Sequence, residues 1–441
     1  MDGMRRARPA RLALLVATAC GLVACGTSVN PTIAAAPAPG AGPLSGCTGS
    51  ITVASDLPTS GGDASIGGGT EKGVQLAISE ARASHLFGNC DLEYVAMNDA
   101  SAAKGKHDPA QGAQNIRQLV ATPGVLGVVG PFNSGVAVAE LPISNAAGLA
   151  QISPSATDPG LTIAGSDRDV DTLSLRPSGQ TTFYRIISND VVQGEVMAEY
   201  AYTTRKLRSI YVLDDQETYG VDLANYFDQD FKALGGTILK RTSLPGDTKD
   251  FRPALTEAKS LNADAVFFGG VASDGSGLVS AQMQEIGLKA TFLGGDGSVD
   301  PQYFIDGGVS GDNSNNQAYA SSAPDATGLA SAKSFNAVYT RTFSQQPVSY
   351  SAYGYDCMNI LLDAIRQVIL ANGGTRPSDN AAFRTAVARQ VGKEDWKGTI
   401  GETRFNAQGD TTNRAFTIYR ATGGNWVGVE TVSPKTGAAA G

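Results

Sequence analysis

The chain has 441 residues, of which 42% are hydrophobic and 17% charged, and its formal net charge is −8. It contains no run of three Lys or Arg residues, so it lacks the basic face that nucleic-acid binding requires. The acidic balance also excludes electrostatic attraction to anionic lipid as the means of holding the chain at a membrane.

Residues 1–24 have the pattern of a secretion signal. Four Arg residues precede the apolar stretch 12–24, which at thirteen residues is shorter than the ~20 that span a bilayer. Residues 22–26, Leu-Val-Ala-Cys-Gly, have the form of a bacterial lipobox and predict that Cys25 becomes the lipidated first residue of the mature chain. The alternative is an ordinary cleaved signal with an incidental Cys, since Cys20 also lies here.

The segments at the two ends of the mature chain predict no packed structure. Cleavage before Cys25 removes four Arg and one Asp and changes the formal net charge from −8 to −11. Residues 26–46 are uncharged and rich in Ala, Pro and Gly, which predicts a flexible tether over 25–46. Residues 433–441 predict a disordered tail. The body between them is long enough for two domains.

Short apolar runs alternate with longer amphipathic stretches through the first half of the body. Strand, helix and strand in series predict a parallel sheet with helices packed on it. The first set contains predicted strands at 51–54, 92–97, 125–129 and 149–152, with helices near 74–78, 111–120 and 136–147.

A second set of the same kind follows the polar residues 158–180. Two similar sets predict an α/β protein with two Rossmann-like lobes, each built on a doubly wound parallel sheet. The second set contains predicted strands at 209–213, 237–240, 265–268 and 291–293, with helices near 193–202, 223–234, 253–261 and 278–286. The remaining patterns predict a strand at 317–321, helices at 332–343, 353–370 and 381–391, and strands at 399–405, 414–420 and 426–429.

The cysteines allow one geometric prediction. Cys47 lies just before the first predicted strand and Cys90 just before the second. In a doubly wound sheet these strands are parallel neighbours, so both residues lie at the same end, and export makes a disulfide between them chemically permissible. Cys357 lies in an apolar helical segment and is predicted to be a buried thiol.

The sequence contains no G-x-S-x-G, no H-E-x-x-H and no G-x-x-x-x-G-K-S/T motif. Its short matches to β-lactamase signatures at 101–104, 378–380 and 435–437 fall in a polar loop and the tail, where that chemistry could not operate. His85 and His107 are the only histidines, and neither lies in a context that suggests a catalytic base or a metal cluster. The acidic run 214–217 follows a predicted strand, but it lacks the spaced partner that glycoside hydrolysis needs, and a solvated loop is the simpler interpretation. We therefore predict no enzyme, no cofactor and no metal site.

Three segments carry a family resemblance. The first joins Val-Val-Gly-Pro-Phe-Asn-Ser-Gly at 128–135 to Gln-Ile-Ser-Pro-Ser-Ala-Thr-Asp-Pro at 151–159. The second is Ile-Tyr-Val-Leu-Asp-Asp at 210–215 with Thr-Tyr-Gly at 218–220, and the third is Val-Phe-Phe-Gly-Gly at 266–270 with Gly-Leu at 287–288 and Phe-Leu-Gly-Gly-Asp-Gly at 292–297. In this order and spacing, over about 48–430, they resemble the type I periplasmic binding proteins, in the leucine/isoleucine/valine-binding branch that serves ABC importers.

The resemblance implies two lobes joined by a multi-strand hinge. Lobe 1 is expected at 47–189 and 322–395, and lobe 2 at 190–321 and 396–432. The lobes of such a protein close over a ligand, which removes ion pairs from water and strengthens them.

The family's amino-acid site implies ligand-binding roles for particular residues here. Ser134, which precedes a helix, and Ser155 and Thr157, at the end of the next strand, would hold the ligand carboxylate. The last two otherwise only satisfy a turn. Asp296 matches the acid that pairs with the ligand's ammonium group, and Tyr219 matches an aromatic that covers the ligand.

Asp190 and three departures from the family pattern complete the predicted cleft. Asp190 matches the crossover between the lobes, where it supports the amine or only caps the following helix. Val271 stands where many members have an aromatic, and Asn133 where some have a cysteine near the first serine. Residues 162–172 resemble an insertion beside the cleft.

The function implied is that of an extracytoplasmic solute-binding lipoprotein that delivers an amino acid, branched-chain or similar, to an ABC permease. Its expected location is the outer face of the bacterial cytoplasmic membrane, held by the lipid on Cys25. The alternative is a sensor domain for amides, urea or small carboxylates with a signalling partner.

Overall fold

The computed structural model describes residue 44 and residues 46–307 and 317–434. The predicted signal, the lipidation site Cys25 and most of the predicted tether and tail lie outside those residues. In chain order the strands are β1 (Ser50–Asp56), β2 (Asp91–Met97), β3 (Val125–Val129), β4 (Ala150–Ser153), β5 (Phe183–Arg185), β6 (Ser209–Asp214), β7 (Thr237–Ser243), β8 (Ala265–Gly269), β9 (Thr291–Gly294), β10 (Ala318–Ser322), β11 (Asp395–Gly398), β12 (Gly401–Arg404), β13 (Phe416–Thr422) and β14 (Asn425–Val432).

Helices lie between most of these strands. In chain order they are α1 (Ala64–Ala83), α2 (Pro109–Ala121), α3 (Ser134–Ala146), α4 (Asp190–Glu199), α5 (Thr218–Ala233), α6 (Arg252–Ser260), α7 (Ser276–Glu285), α8 (Gln302–Gly307), α9 (Lys333–Phe343), α10 (Ser351–Ala371) and α11 (Asn380–Val391).

The first sheet is wholly parallel, with strand order β2-β1-β3-β4-β5. All residues of β3 and β4 are buried, which is expected of parallel strands covered on both faces. Helices from two distant parts of the chain cover this sheet, since α10 packs against α1 and α11 packs against β3. We call the body built on this sheet lobe 1.

The second sheet has seven strands in the order β14-β13-β10-β9-β8-β6-β7. Strands β6 to β10 pair in parallel, whereas β13 pairs antiparallel with both β10 and β14. All five residues of β8 are buried at the centre, and helix α5 packs on that strand. We call the body built on this sheet lobe 2. The residues at which the chain passes between lobes stay a prediction.

The predicted α/β class with two parallel sheets is confirmed, and the differences are local. Strand β5 was not predicted, because three residues are too few to display a period. A single strand was predicted at 399–405, but β11 and β12 form a separate hairpin. The chain turns between them because the Asp356 carboxylate accepts the backbone N–H groups of Thr399 at 3.0 Å and Ile400 at 2.8 Å.

The predicted disulfide is confirmed. Cys47 and Cys90 are bonded, with their Cα atoms 5.2 Å apart, immediately before the paired strands β1 and β2. The bond fixes the amino-terminal end of the first strand to its neighbour. Cys357 is a buried free thiol, as predicted.

Loss of this disulfide is expected to destabilise the protein substantially. The cysteines are 43 residues apart, and closing a loop of that size contributes about 4 kcal/mol by restricting the unfolded chain. The double variant Cys47→Ser/Cys90→Ser should therefore unfold at a clearly lower urea concentration than wild type. Addition of reductant should not lower the stability of the variant further, because Cys357 forms no disulfide in the wild type or in the variant. Equal midpoints for the oxidised wild type and the variant would contradict the prediction.

Candidate functional site

Asp296 lies just beyond the end of β9 and is 7% exposed. Its Oδ1 accepts hydrogen bonds from the Tyr219 hydroxyl at 2.7 Å and the Gln193 amide at 3.0 Å, and its Oδ2 accepts one from the Tyr350 hydroxyl at 2.7 Å. Burial raises the pKa of this carboxyl, while the three donors act in the opposite direction. A carboxylate has about four acceptor positions, so one remains for a ligand donor.

Close backbone packing brings Tyr219 to Asp296. A Cβ atom on Gly220 would lie 2.5 Å from the Gly269 carbonyl oxygen, so glycine there allows the start of α5 to lie against β8. A Cβ atom on Gly295 would lie 2.3 Å from the Tyr219 hydroxyl. Small residues at these two positions are therefore required for the bond between tyrosine and acid.

Tyr350 connects the two lobes at this point. It precedes α10, which packs in lobe 1, whereas its hydroxyl donates to Asp296 of lobe 2. Its ring also meets the ring of Phe132 edge-on, with centroids 5.2 Å apart, and Phe132 lies two residues before Ser134. Neither Tyr350 nor Gln193 was predicted as a site residue, because no local motif marks them.

Asp190 is the second acid of this region and is fully buried. Its carboxylate accepts no N–H of the following helix, so the predicted alternative of helix capping is wrong, and the side-chain donor beside it is the Thr157 hydroxyl, which acts to lower its pKa. Its backbone N–H donates to the Thr157 carbonyl at 3.0 Å, which fixes it beside the end of β4. Burial raises the pKa of Asp190 well above its usual range, and the charge of Asp296 raises it further.

The three residues predicted to bind the ligand carboxylate differ in whether their hydroxyl hydrogen is available to a ligand. The Ser134 hydroxyl, at the start of α3, accepts the Asp158 N–H at 3.2 Å and still has its own hydrogen to donate. Thr157 is buried, and its hydroxyl lies near enough to the Asp190 carboxylate to act to lower the pKa of that acid. By contrast, the Ser155 hydroxyl donates its single hydrogen to the Phe132 carbonyl at 2.6 Å, so this side chain serves the turn.

Ionic contacts also join the lobes. Lys106, in the loop before α2, pairs with Asp274 of lobe 2 and with Glu217 of lobe 2 at 3.1 Å. Asp214 is buried and paired with Arg241 at 2.7 Å. The interpretation of the acidic run 214–217 as a solvated loop is therefore wrong for Asp214 and Asp215, which are buried, whereas Gln216 is exposed and Glu217 is half-buried and paired with Lys106.

His107 forms a pair that was not predicted. Its Nδ1 lies 2.8 Å from Asp63 Oδ2, and both residues are buried. The pair joins the loop before α2 to the residue that precedes α1. Among the described residues, no Ser, Thr or Cys hydrogen-bonds the imidazole, as a nucleophile would in a catalytic triad.

Comparison with known proteins agrees with this fold and cleft. A family model described as periplasmic binding protein matches residues 50–425, and the chain belongs to this family. Members of the family are extracytoplasmic substrate-binding proteins. No helix of the described residues is long and apolar enough to cross a membrane.

Several individual relatives are named for branched-chain amino acids, whereas a Rhodopseudomonas palustris solute-binding protein of similar structure, with a TM-score of 0.70, 18% identity and coverage of 88% and 98%, was solved with benzoate. The chain is 29% identical over 382 residues to Leu/Ile/Val-binding protein homolog 3 of Brucella melitensis, covering 86% of this chain and 94% of the relative. The leucine-binding protein LivK of Thermotoga maritima has a similar structure, with a TM-score of 0.73, 24% identity and coverage of 87% and 99%. The branched-chain amino acid binding protein LivJ of Streptococcus pneumoniae, solved with isoleucine, has a TM-score of 0.72, 24% identity and coverage of 87% and 100%.

Proposed function

We propose that this protein is the extracytoplasmic solute-binding lipoprotein of an ABC importer and that it captures an amino acid, branched-chain or similar, between its two lobes. The observation that carries the proposal is Asp296, a buried acid that accepts neutral donors from both lobes and has one acceptor position left. The names of those relatives that specify leucine, isoleucine and valine favour an importer over a sensor.

The ammonium group of the ligand would lie between Asp296 and Asp190. Asp296 offers its free acceptor position, and Asp190 offers two buried carboxylate oxygens. Because both acids are buried, an ionised carboxylate at either position is costly until a cation arrives. The ammonium group therefore supplies charge that this part of the cleft lacks.

The carboxylate of the ligand would lie at the start of α3. The Ser134 hydroxyl has a hydrogen to donate, and the first N–H groups of a helix lack intrahelical acceptors. Thr157 adds a buried hydroxyl, which would turn from the Asp190 carboxylate to the ligand. We leave Ser155 out of the side-chain donors, since its hydrogen bonds Phe132.

Apolar groups beside these polar ends would select the ligand side chain. The rings of Phe132 and Tyr350 meet edge-on between Ser134 and Asp296. Val271 lies against the residue after the acid, since a Cβ on Gly297 would be 2.7 Å from Val271 Cγ1. A hydrocarbon side chain fits such surroundings, because each buried CH₂ contributes about 0.8 kcal/mol.

Closure of the lobes would couple capture to delivery. Tyr350 bonds Asp296 and Lys106 pairs with Asp274, and because each contact joins lobe 1 to lobe 2, both would stabilise the closed form. A lipid on Cys25 and the tether 25–46 would keep the closed receptor within reach of a permease. Residues 47–189 with 322–395, and 190–321 with 396–432, would be the two moving bodies.

Calorimetry with ligands that lack one polar group tests this proposal. L-Leucine, L-isoleucine and L-valine are compared with 4-methylpentanoate, which lacks the ammonium group, and isopentylamine, which lacks the carboxylate. At least one amino acid is expected to bind at about micromolar Kd, equivalent to about −8 kcal/mol. Both analogues should bind at least about 100-fold more weakly. Equal binding of leucine and 4-methylpentanoate, or binding of acetamide or urea in place of any amino acid, would contradict it.

A further inference from the structure

Three carboxylates from separate parts of the chain meet beside the cleft. Asp158 follows Thr157 in lobe 1, Asp167 lies in the segment 162–172, and Asp222 lies on α5 of lobe 2, one turn beyond Tyr219. Oxygen atoms of these three aspartates lie within 4.8 Å of one another. The sequence predicts no metal site here, because only folding brings the three together.

Among the described residues, no cation forms a direct ion pair with an acid of this cluster. Asp158 is 0% and Asp222 is 3% exposed. The Oδ2 atom of Asp222 has no hydrogen-bond partner among the described residues, whereas burial and the interaction with Asp167 inside the cluster both raise the pKa of Asp158. Two guanidinium groups lie near, those of Arg185 and Arg241, but their N–H groups donate to other acceptors and to none of the three carboxylates. Buried carboxylates in this state are destabilising unless a cation joins them.

The segment 162–172 is anchored so that Asp167 stays at the cluster. At its start, Thr162 accepts a hydrogen bond from Arg185, and at its end the Thr172 hydroxyl donates to the Gly160 carbonyl at 2.6 Å. Between them, the Ser166 carbonyl accepts the Tyr226 hydroxyl of α5 at 2.7 Å. The segment thus contacts lobe 1 at both of its ends and contacts lobe 2 directly before Asp167.

We propose that Asp158, Asp167 and Asp222 form a calcium-binding site that bridges the two lobes. Ca²⁺ takes six to eight oxygen ligands at about 2.3–2.6 Å, so ligands on opposite sides of the ion are roughly 4.6–5.2 Å apart. Three carboxylate oxygens within 4.8 Å fit around one such ion, with water or backbone carbonyls in the other positions. The ion holds lobe 1 and the segment 162–172 against lobe 2.

The test uses the purified protein without any amino acid, so its outcome is independent of the proposed ligand. Chelator-treated protein is titrated with CaCl₂ by calorimetry, and thermal unfolding is followed with CaCl₂, MgCl₂ or EDTA. The wild type is expected to bind one Ca²⁺ with a Kd on the order of 10⁻⁴ M and to unfold at a higher temperature with CaCl₂ than with EDTA.

Two substitutions separate the site from general charge effects. Asp222→Asn is expected to weaken Ca²⁺ binding at least about tenfold and to reduce the Ca²⁺-dependent rise in unfolding temperature. Its fold should be retained, as circular dichroism can check, because it removes a buried carboxylate that has a partnerless oxygen. Asp91→Asn makes the same charge change at an exposed residue of lobe 1 and should bind Ca²⁺ as the wild type does. Absence of binding to the wild type, or equal affinity in Asp222→Asn, would overturn the proposal.

Discussion

Asp296→Ala is expected to abolish amino-acid binding, with a loss of at least about 100-fold in affinity, while both lobes stay folded. Truncation of one partner of a buried charge pair costs about 2–5 kcal/mol, and a 100-fold loss corresponds to about 2.8 kcal/mol, which lies within that range. The ammonium group would keep only Asp190 as an acid, and Tyr219 and Tyr350 would lose the acceptor that holds them. Stability should change little, because the substitution also removes the cost of burying this carboxylate.

Calorimetry with the amino acid that the wild type binds most tightly measures this effect. Glu80→Gln is a matched control, because Glu80 also accepts a tyrosine hydroxyl, that of Tyr355 at 2.5 Å, but does so between α1 and α10 within lobe 1. The control should retain wild-type affinity. If Asp296→Ala binds the amino acid as tightly as the wild type does, the assignment of this acid to the ligand is wrong.

Glu140→Gln is expected to make the stability of the protein much less dependent on pH. Glu140 is fully buried in lobe 1, and its carboxylate oxygens lie within 4.8 Å of those of Asp56 and Asp99. Burial raises the pKa of Glu140 to about 8, and the charge of Asp99 acts in the same direction. Gln keeps the size of the side chain and an acceptor for the Gln151 amide, which now donates to Glu140 at 2.5 Å.

The direction in which pH changes the free energy of unfolding follows from proton binding. Between its ordinary pKa and about 8, Glu140 is protonated in the folded state and ionised in the unfolded state, so the free energy of unfolding falls as pH rises. The contribution of this group amounts to about 4 kcal/mol between about pH 5 and about pH 8. Urea unfolding across this range, in EDTA, should show a steeper decline for wild type than for Glu140→Gln. Glu199→Gln, at an exposed position, should behave as wild type, and parallel curves for Glu140→Gln and wild type would refute the account.

Much of the fold was predictable because burial leaves a local pattern. The strand β8 reads Ala-Val-Phe-Phe-Gly and is buried throughout, so its apolar run and terminal glycine mark it without knowledge of its neighbours. The hairpin of β11 and β12 has no such apolar pattern in the sequence. It depends on the carboxylate of Asp356, more than forty residues away, which accepts two backbone N–H groups at the turn.

The residues of the candidate site were likewise only partly predictable from the sequence. Asp296 and Tyr219 were predicted because both match the family's site, and Asp296 also follows an apolar strand and stands among glycines, where α/β sheets place ligands. The other donors to Asp296 could not be predicted, since Gln193 lies 103 residues away and Tyr350 lies 54 residues away. Ser155 is the opposite kind of case, a predicted site residue that the fold uses otherwise. Its position matches the family site, but its hydroxyl donates to the Phe132 carbonyl.

A crystal structure of the protein with its tightest-binding amino acid tests the central proposal most directly. We predict that the ligand lies between the lobes, with its ammonium nitrogen about 2.8 Å from Asp296 Oδ2 and its carboxylate against Ser134 and the start of α3. An amino acid bound elsewhere, or one bound in the cleft with Asp296 still contacting only Tyr219, Gln193 and Tyr350, would contradict it.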